Sequence, residues 1–206
     1  MRVGMVLFRG GENILPDSTF SLIYDYSDVK RCDLVILHGG EDISPSIYNQ
    51  KAVHTDASNT PSKRDKNELA IIDEATKTGV PIFGICRGAQ LLCAVAGGSL
   101  FQHVNGHNRD DHQIITSEGQ ILTTNSCHHQ AMRLNNKGII LAQTPFKVAD
   151  FRWLDDTTSA VTDEPEVEAA WWPQLNSIGV QGHPEWMHQT PFVQYCRTLI
   201  KEYLNV

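Results

Sequence analysis

The chain has 206 residues, 41% of them hydrophobic and 20% charged, with a formal net charge of −7. That length supports one domain over residues 1–206 with a full core, in the compositional range of soluble globular proteins. The acidic balance argues against a nucleic-acid partner, which needs a basic face, and no stretch reads as a membrane span.

The N-terminal run Arg2–Phe8 is apolar but is broken at Arg9-Gly10-Gly11. It is too short for a secretory h-region and is expected as a first buried strand. Asp33–Leu37 is a second strand candidate, ending at His38-Gly39-Gly40. Glu41–Thr60 is poor in apolar residues and reads as loop. Ser62 with Asp65 forms a capping box, and Leu69, Ile72 and Thr76 follow at helical spacing until Gly79 and Pro81 stop the helix. Val80–Phe83 is a short apolar strand, and Ala89–Ala96 a helix closed by Gly97-Gly98. Further strands are expected around Ile114, Ile121, Ile139, Val148, Val161, Val167–Trp171 and Ile178–Val180, some of them antiparallel and at an edge. A last helix starts at Thr190-Pro191 and buries Phe192, Cys196, Leu199 and Tyr203. This alternation predicts an α/β fold whose sheet is at least partly parallel.

Five cysteines, at 32, 86, 93, 127 and 196, make an odd number with no C-x-x-C pair. A reduced, cytoplasmic setting is expected, in which one of them can work as a thiolate. Gly84-Ile85-Cys86-Arg87-Gly88 lies between a strand and a helix, in the G-x-C-x-G form of a nucleophile elbow. The glycines permit a turn too tight for side chains, and the helix N-terminus is expected to lower the pKa of the thiol. Cys32, Cys93, Cys127 and Cys196 lack that context.

A cysteine nucleophile needs a base and a group to orient the base. His183 precedes Pro184, which favours extended backbone, so His183 and Glu185 point to the same side. Glu185 can then hold one imidazole nitrogen and leave the other for sulfur.

Pro81–Phe101 resembles the nucleophile segment of class I glutamine amidotransferases, most closely the γ-glutamyl hydrolase branch, peptidase family C26. The loop His38–Tyr48, the helix start Arg64-Asp65 with Glu68, the segment Ser126-Cys127-His128-His129-Gln130 and Gly179–Glu185 resemble further blocks of that branch, in order. The resemblance implies a flavodoxin-like three-layer αβα sandwich, with a mainly parallel central sheet and additional antiparallel edge strands. It implies a γ-glutamyl thioester on Cys86, with His183 as base and acid and Glu185 as its orienter. Backbone N–H groups of Gly40 and Arg87 are implied as the oxyanion hole. Gln90, Ser126, His128, His129 and Gln130 are implied as contacts to the glutamyl group. No metal and no other cofactor is implied.

This chain departs from the family at Cys93-Ala94, where Asn-Val is common, and at Gly182, where an aromatic is usual and whose absence is expected to open the pocket wall. His103, His107, His112, His128 and His129 do not suggest zinc, because no Cys or carboxylate spacing completes a tetrahedral set. Asp155-Asp156 and Asp163-Glu164 with Glu166 read as solvated loops, and Glu168 as a structural or pocket residue. The leading expectation is a hydrolase of a small-molecule γ-glutamyl amide, acting alone or as a homodimer. The alternatives are a glutaminase subunit that passes ammonia to a synthetase partner, and a non-catalytic binding module.

Overall fold

The computed structural model describes residues 1–6, 11–108, 110–154 and 166–206. Its strands are β1 (Arg2–Val6), β2 (Thr19–Ile23), β3 (Leu34–Leu37), β4 (Ile82–Ile85), β5 (Ser99–Phe101), β6 (His103–Val104), β7 (His112–Thr116), β8 (Ile121–Thr124), β9 (Ala131–Arg133), β10 (Ile139–Gln143), β11 (Arg152–Trp153), β12 (Val167–Trp172) and β13 (Ser177–Val180). Its helices are α1 (Lys63–Thr78), α2 (Arg87–Val95) and α3 (Pro191–Leu204).

One sheet runs β2-β1-β3-β4-β13-β12-β10-β7-β8. The strands β2, β1, β3, β4 and β13 are parallel, and from β12 onward the pairing is antiparallel. Strand alternation splits the core into two layers of apolar side chains. Val35 and Leu37 face α1 and α2, with Ile71, Ile72, Ala75, Ala89 and Leu92. Leu34 and Ile36 face α3, with Phe192, Cys196, Leu199 and Ile200. Helices on both faces make the flavodoxin-like αβα sandwich. Among the described residues no helix is long and apolar enough to cross a membrane.

The capping box at Ser62 forms as expected, with Ser62 accepting from the Asp65 N–H and the Asp65 carboxylate accepting from the Ser62 N–H. Gly79 closes α1 in the left-handed conformation. Thr190 caps α3, with Pro191 in its first turn. Other expectations need correction. The buried side of α1 carries Asp65, Glu68, Ile71, Ile72 and Ala75, while Thr76 is exposed. Residues near Val148 form no strand, because the Val148 and Ala149 N–H groups donate to the Glu166 carboxylate. Glu166 is itself buried, not solvated, and also accepts from Thr144 and Arg152. The short strands β2, β5, β6, β9 and β11 were not anticipated. Val161, Asp155-Asp156, Asp163-Glu164 and the end of the first expected strand, through Arg9-Gly10, lie outside the described residues.

The carboxylates on α1 are buried because they meet a cation. The Arg87 guanidinium, itself buried, pairs with Asp65 at 2.6 Å and with Glu68. Arg64 continues the network, with Nε to Glu68 at 2.7 Å and Nη2 donating to the carbonyls of His38 and Gly39 at 3.0 Å each. A cation removed from such a pair leaves uncompensated buried charge. Arg87→Met is therefore expected to destabilise the fold by about 3–5 kcal/mol, read as a lowered midpoint in urea unfolding.

Candidate active site

Three neighbouring parallel strands, β3, β4 and β13, bring the site together at their carboxyl ends. Leu37 aligns with Gly84, and Ile85 with Val180. The residues just beyond these pairs are His38-Gly39-Gly40, Cys86 and Gln181–Glu185, which therefore emerge side by side where open α/β sheets bind ligands.

Cys86 sits at φ 50°, ψ −106°, directly before α2. This left-handed residue makes the elbow, and the flanking glycines make room for it. A Cβ on Gly84 would lie 2.7 Å from the Gly88 carbonyl carbon, and one on Gly88 would lie 2.3 Å from the Leu37 oxygen. The elbow is thus closed onto both its own helix and the neighbouring strand.

A cavity of about 350 Å³ is lined by His38, Gly39, Gly40, Cys86, Cys127, His183, Glu185 and Trp186. Cys86 and His183 stand on the same wall: a Cβ on Gly39 would be 3.5 Å from the Cys86 Cβ and 3.5 Å from His183 Nε2. His183 Nδ1 meets Glu185 Oε1 at 2.7 Å, which leaves Nε2 for the cavity. The base is held from three further directions. The Asn125 side chain accepts from the His183 N–H at 2.7 Å and donates to the His183 carbonyl at 3.1 Å. The Trp186 indole stacks flat on the imidazole, with ring centroids 3.7 Å apart and planes 1° apart. Asn13 donates to the Glu185 carbonyl at 2.9 Å.

Gly40 lies in the cavity wall at φ 148°, with Arg64 filling the space a side chain would need. The Arg87 backbone N–H, beside Cys86, favours the thiolate. That lowers the thiol pKa, but burial outweighs it, and the Cys86 thiol is pushed up to about 12. The expected lowering at the helix N-terminus is overturned, because a closed, apolar setting penalises the thiolate more than one N–H stabilises it. His38 is also kept neutral by burial.

The residues implied as glutamyl contacts are placed differently. None of Gln90, Ser126, His128, His129 and Gln130 lines this cavity. Gln90 donates to the Gln130 carbonyl, Ser126 to the His107 carbonyl and His128 Nδ1 to the Gln130 carbonyl. Gln90, Ser126, His128 and Gln130 form a buried wall, held by these bonds to backbone carbonyls. His128 and His129 line an adjoining cavity of about 560 Å³, which shares Cys127 with the first. Gly182 does not open the wall either: a Cβ there would meet Thr124, Asn125 and Phe192. Sequence reasoning missed Asn125, Cys127 and Trp186. The Trp following H-P-E was the available signal for the stacking partner.

Residues 14–185 match the family Peptidase C26, and the chain belongs to it. It is similar to protein NtpR of Enterococcus hirae, at 37% identity over 142 residues, 58% of each chain. The aligned part thus spans little more than half of that relative. A γ-glutamyl-γ-aminobutyrate hydrolase of Escherichia coli K12 is 25% identical over 185 residues, covering 76% of this chain and 65% of its own. In fold the chain is similar to a glutamine amidotransferase of Thermotoga maritima, with a TM-score of 0.63 and 16% identity over 100% of this chain and 84% of that one. The family model shows the family, and the solved structure shows the fold.

The raised Cys86 pKa gives a signed expectation. The thiol is neutral below about pH 12, so its thiolate fraction should climb about tenfold per pH unit. Alkylation of Cys86 by iodoacetamide without substrate, followed on the Cys86 peptide by mass spectrometry, should rise from neutral to alkaline pH without a plateau. A plateau near neutrality would mean a preformed ion pair with His183.

Proposed function

We propose that this protein hydrolyses a γ-glutamyl amide bond by acyl transfer through Cys86. The observation that carries the reading is the convergence of Cys86, Gly40 and the His183–Glu185 pair on one cavity, at three adjacent strand ends. The family supports amide hydrolysis, and the E. coli relative is named for a γ-glutamyl substrate.

The chemistry follows from the geometry. With a neutral resting thiol, His183 Nε2 acts as a general base in the step itself. It takes the thiol proton as sulfur bonds to the amide carbonyl carbon. The oxygen then carries the charge toward the N–H groups of Gly40 and Arg87, donors worth about 3 kcal/mol each in a well-formed hole. The imidazolium, steadied by Glu185, returns its proton to the leaving nitrogen as the C–N bond breaks. Water, deprotonated by the same nitrogen, attacks the thioester, releases glutamate and restores the thiol. The adjoining cavity beyond Cys127, with His129 in its wall, gives the rest of the substrate a place to lie.

Cys86→Ala is expected to lower glutamate release from γ-glutamyl amides by roughly a thousandfold or more, with the fold intact by circular dichroism. Release at the wild-type rate would sink the proposal. Mass spectrometry of the products from a panel of γ-glutamyl amines and glutamine separates the two activities: an amine marks a hydrolase, ammonia from glutamine alone a glutaminase subunit.

A further inference from the structure

Behind the wall formed by Ser126–Gln130 lies a second group of ionisable side chains that the proposed reaction does not use. His107 comes from the connection between β6 and β7, His112 from β7, His128 from the loop before β9, Glu166 from just ahead of β12 and Glu168 from within it. His107, His128, Glu166 and Glu168 are buried, and the His112 side chain is 9% exposed. The rings of His107 and His128 stack with centroids 4.7 Å apart, and His112 meets His107 edge-on at 4.9 Å.

The hydrogen bonds around this group leave lone pairs aimed inward. His128 Nδ1 lies 2.8 Å from the Gln130 carbonyl, which can only accept, so Nδ1 carries the proton and Nε2 is the lone-pair nitrogen. That Nε2 is buried and has no hydrogen-bond partner. One oxygen of Glu168 is in the same condition. His107 Nε2 lies 3.4 Å from the Glu166 carboxylate, which leaves Nδ1 facing Glu168 at 3.6 Å. Ser126 lies near that Nδ1 but spends its hydroxyl proton on the His107 carbonyl. Burial also lowers the pKa of His128 well below its ordinary value, so its ring is neutral.

We propose that His107, His128 and Glu168 bind a divalent transition-metal ion of the zinc type. One ligand atom from each lies within 4.8 Å of the others, and binding would draw them in to the ~3.3 Å spacing that zinc bonds of about 2.0–2.1 Å impose on a tetrahedron. Two imidazoles and a carboxylate are a zinc ligand set. His128 has the hydrogen-bonded outer partner that ligating histidines have, a backbone carbonyl, and the Glu166 carboxylate stands 3.4 Å from the outer nitrogen of His107. A cation satisfies both inward orphans and meets the Glu168 charge, for which the described residues otherwise supply only imidazoles. His112 Nε2, 3.3 Å from Glu168 Oε1, flanks the set without joining it, so a water would be the fourth ligand. His128 also lines the adjoining solvent cavity, which gives the ion its way in. The bound ion ties the Ser126–Gln130 wall to β12, independently of whether the cavity beyond it hydrolyses γ-glutamyl amides.

The test uses the full chain with Cys86→Ser, which removes the thiol–imidazole pair as a competing metal ligand. After stripping with chelator, titration with Co²⁺ should give the visible bands of a four-coordinate site, saturate near about one equivalent, and lose them to Zn²⁺. Adding His128→Gln or Glu168→Gln should weaken binding about a hundredfold or more. Asp42→Asn should leave it unchanged, although Asp42 belongs to the separate group Asp42, Asp56 and His129. Glu168→Gln keeps the side-chain shape, and circular dichroism checks that each variant folds. The proposal is overturned if the folded parent chain binds neither Co²⁺ nor Zn²⁺. It is equally overturned if both ligand variants bind as the parent does, or if binding is lost with Asp42→Asn instead.

Discussion

The buried guanidinium of Arg87, held between Asp65 and Glu68, is the constraint on which the site depends. Arg87 is both the residue after the nucleophile and the first residue of α2. Its side chain anchors the elbow to the start of α1, while its backbone N–H, beside Cys86, favours the thiolate. Arg64, one turn before Glu68, extends the same network to the carbonyls of His38 and Gly39. Two helix starts and one loop are thereby fixed relative to one another by charge-assisted hydrogen bonds in a dry setting, where such bonds are strong and costly to break.

This rigidity suits the proposed reaction, in which Cys86 rests as a neutral thiol and His183 serves as the base. Burial holds the Cys86 proton on, so the base must be aimed well enough to remove it during attack. His183 meets that demand through Glu185, Asn125 and the flat face of Trp186. A ring fixed at one nitrogen, at its backbone and across its plane has little freedom left to lose in the transition state.

Much of the fold was legible because local and tertiary signals agree. The capping box at Ser62, the stop at Gly79 and the start at Thr190-Pro191 are decided within a few residues by backbone hydrogen bonds. The apolar runs of β3, β4 and Ile178–Val180 in β13 announce strands buried on both faces. The edge strand β2 buries only part of one face, so its apolar signal is weak. The buried face of α1 was only partly legible, because it carries Asp65 and Glu68, and a hydrophobicity pattern cannot foresee that a distant arginine will meet them. Glu166 was read as solvated for the same reason.

The elbow was legible in the sequence alone, since G-x-C-x-G between strand and helix leaves the backbone few alternatives, whereas His183 and Glu185 meet through a short 3-10 turn over Pro184–Trp186 and not through the expected extended backbone. Only the tertiary structure decided which groups share the cavity with them. Cys127 and Trp186 reach it through packing and Asn125 braces His183 from outside it, while Gln90 turns inward to the Gln130 carbonyl and Ser126 to the His107 carbonyl. It also decided the protonation of Cys86, because desolvation depends on everything around the sulfur and not on the turn that carries it. The histidines show the same division. Their spacing along the chain fits no metal motif, yet the carboxylate that completes the set arrives from β12, and proximity of that kind is a property of the folded sheet.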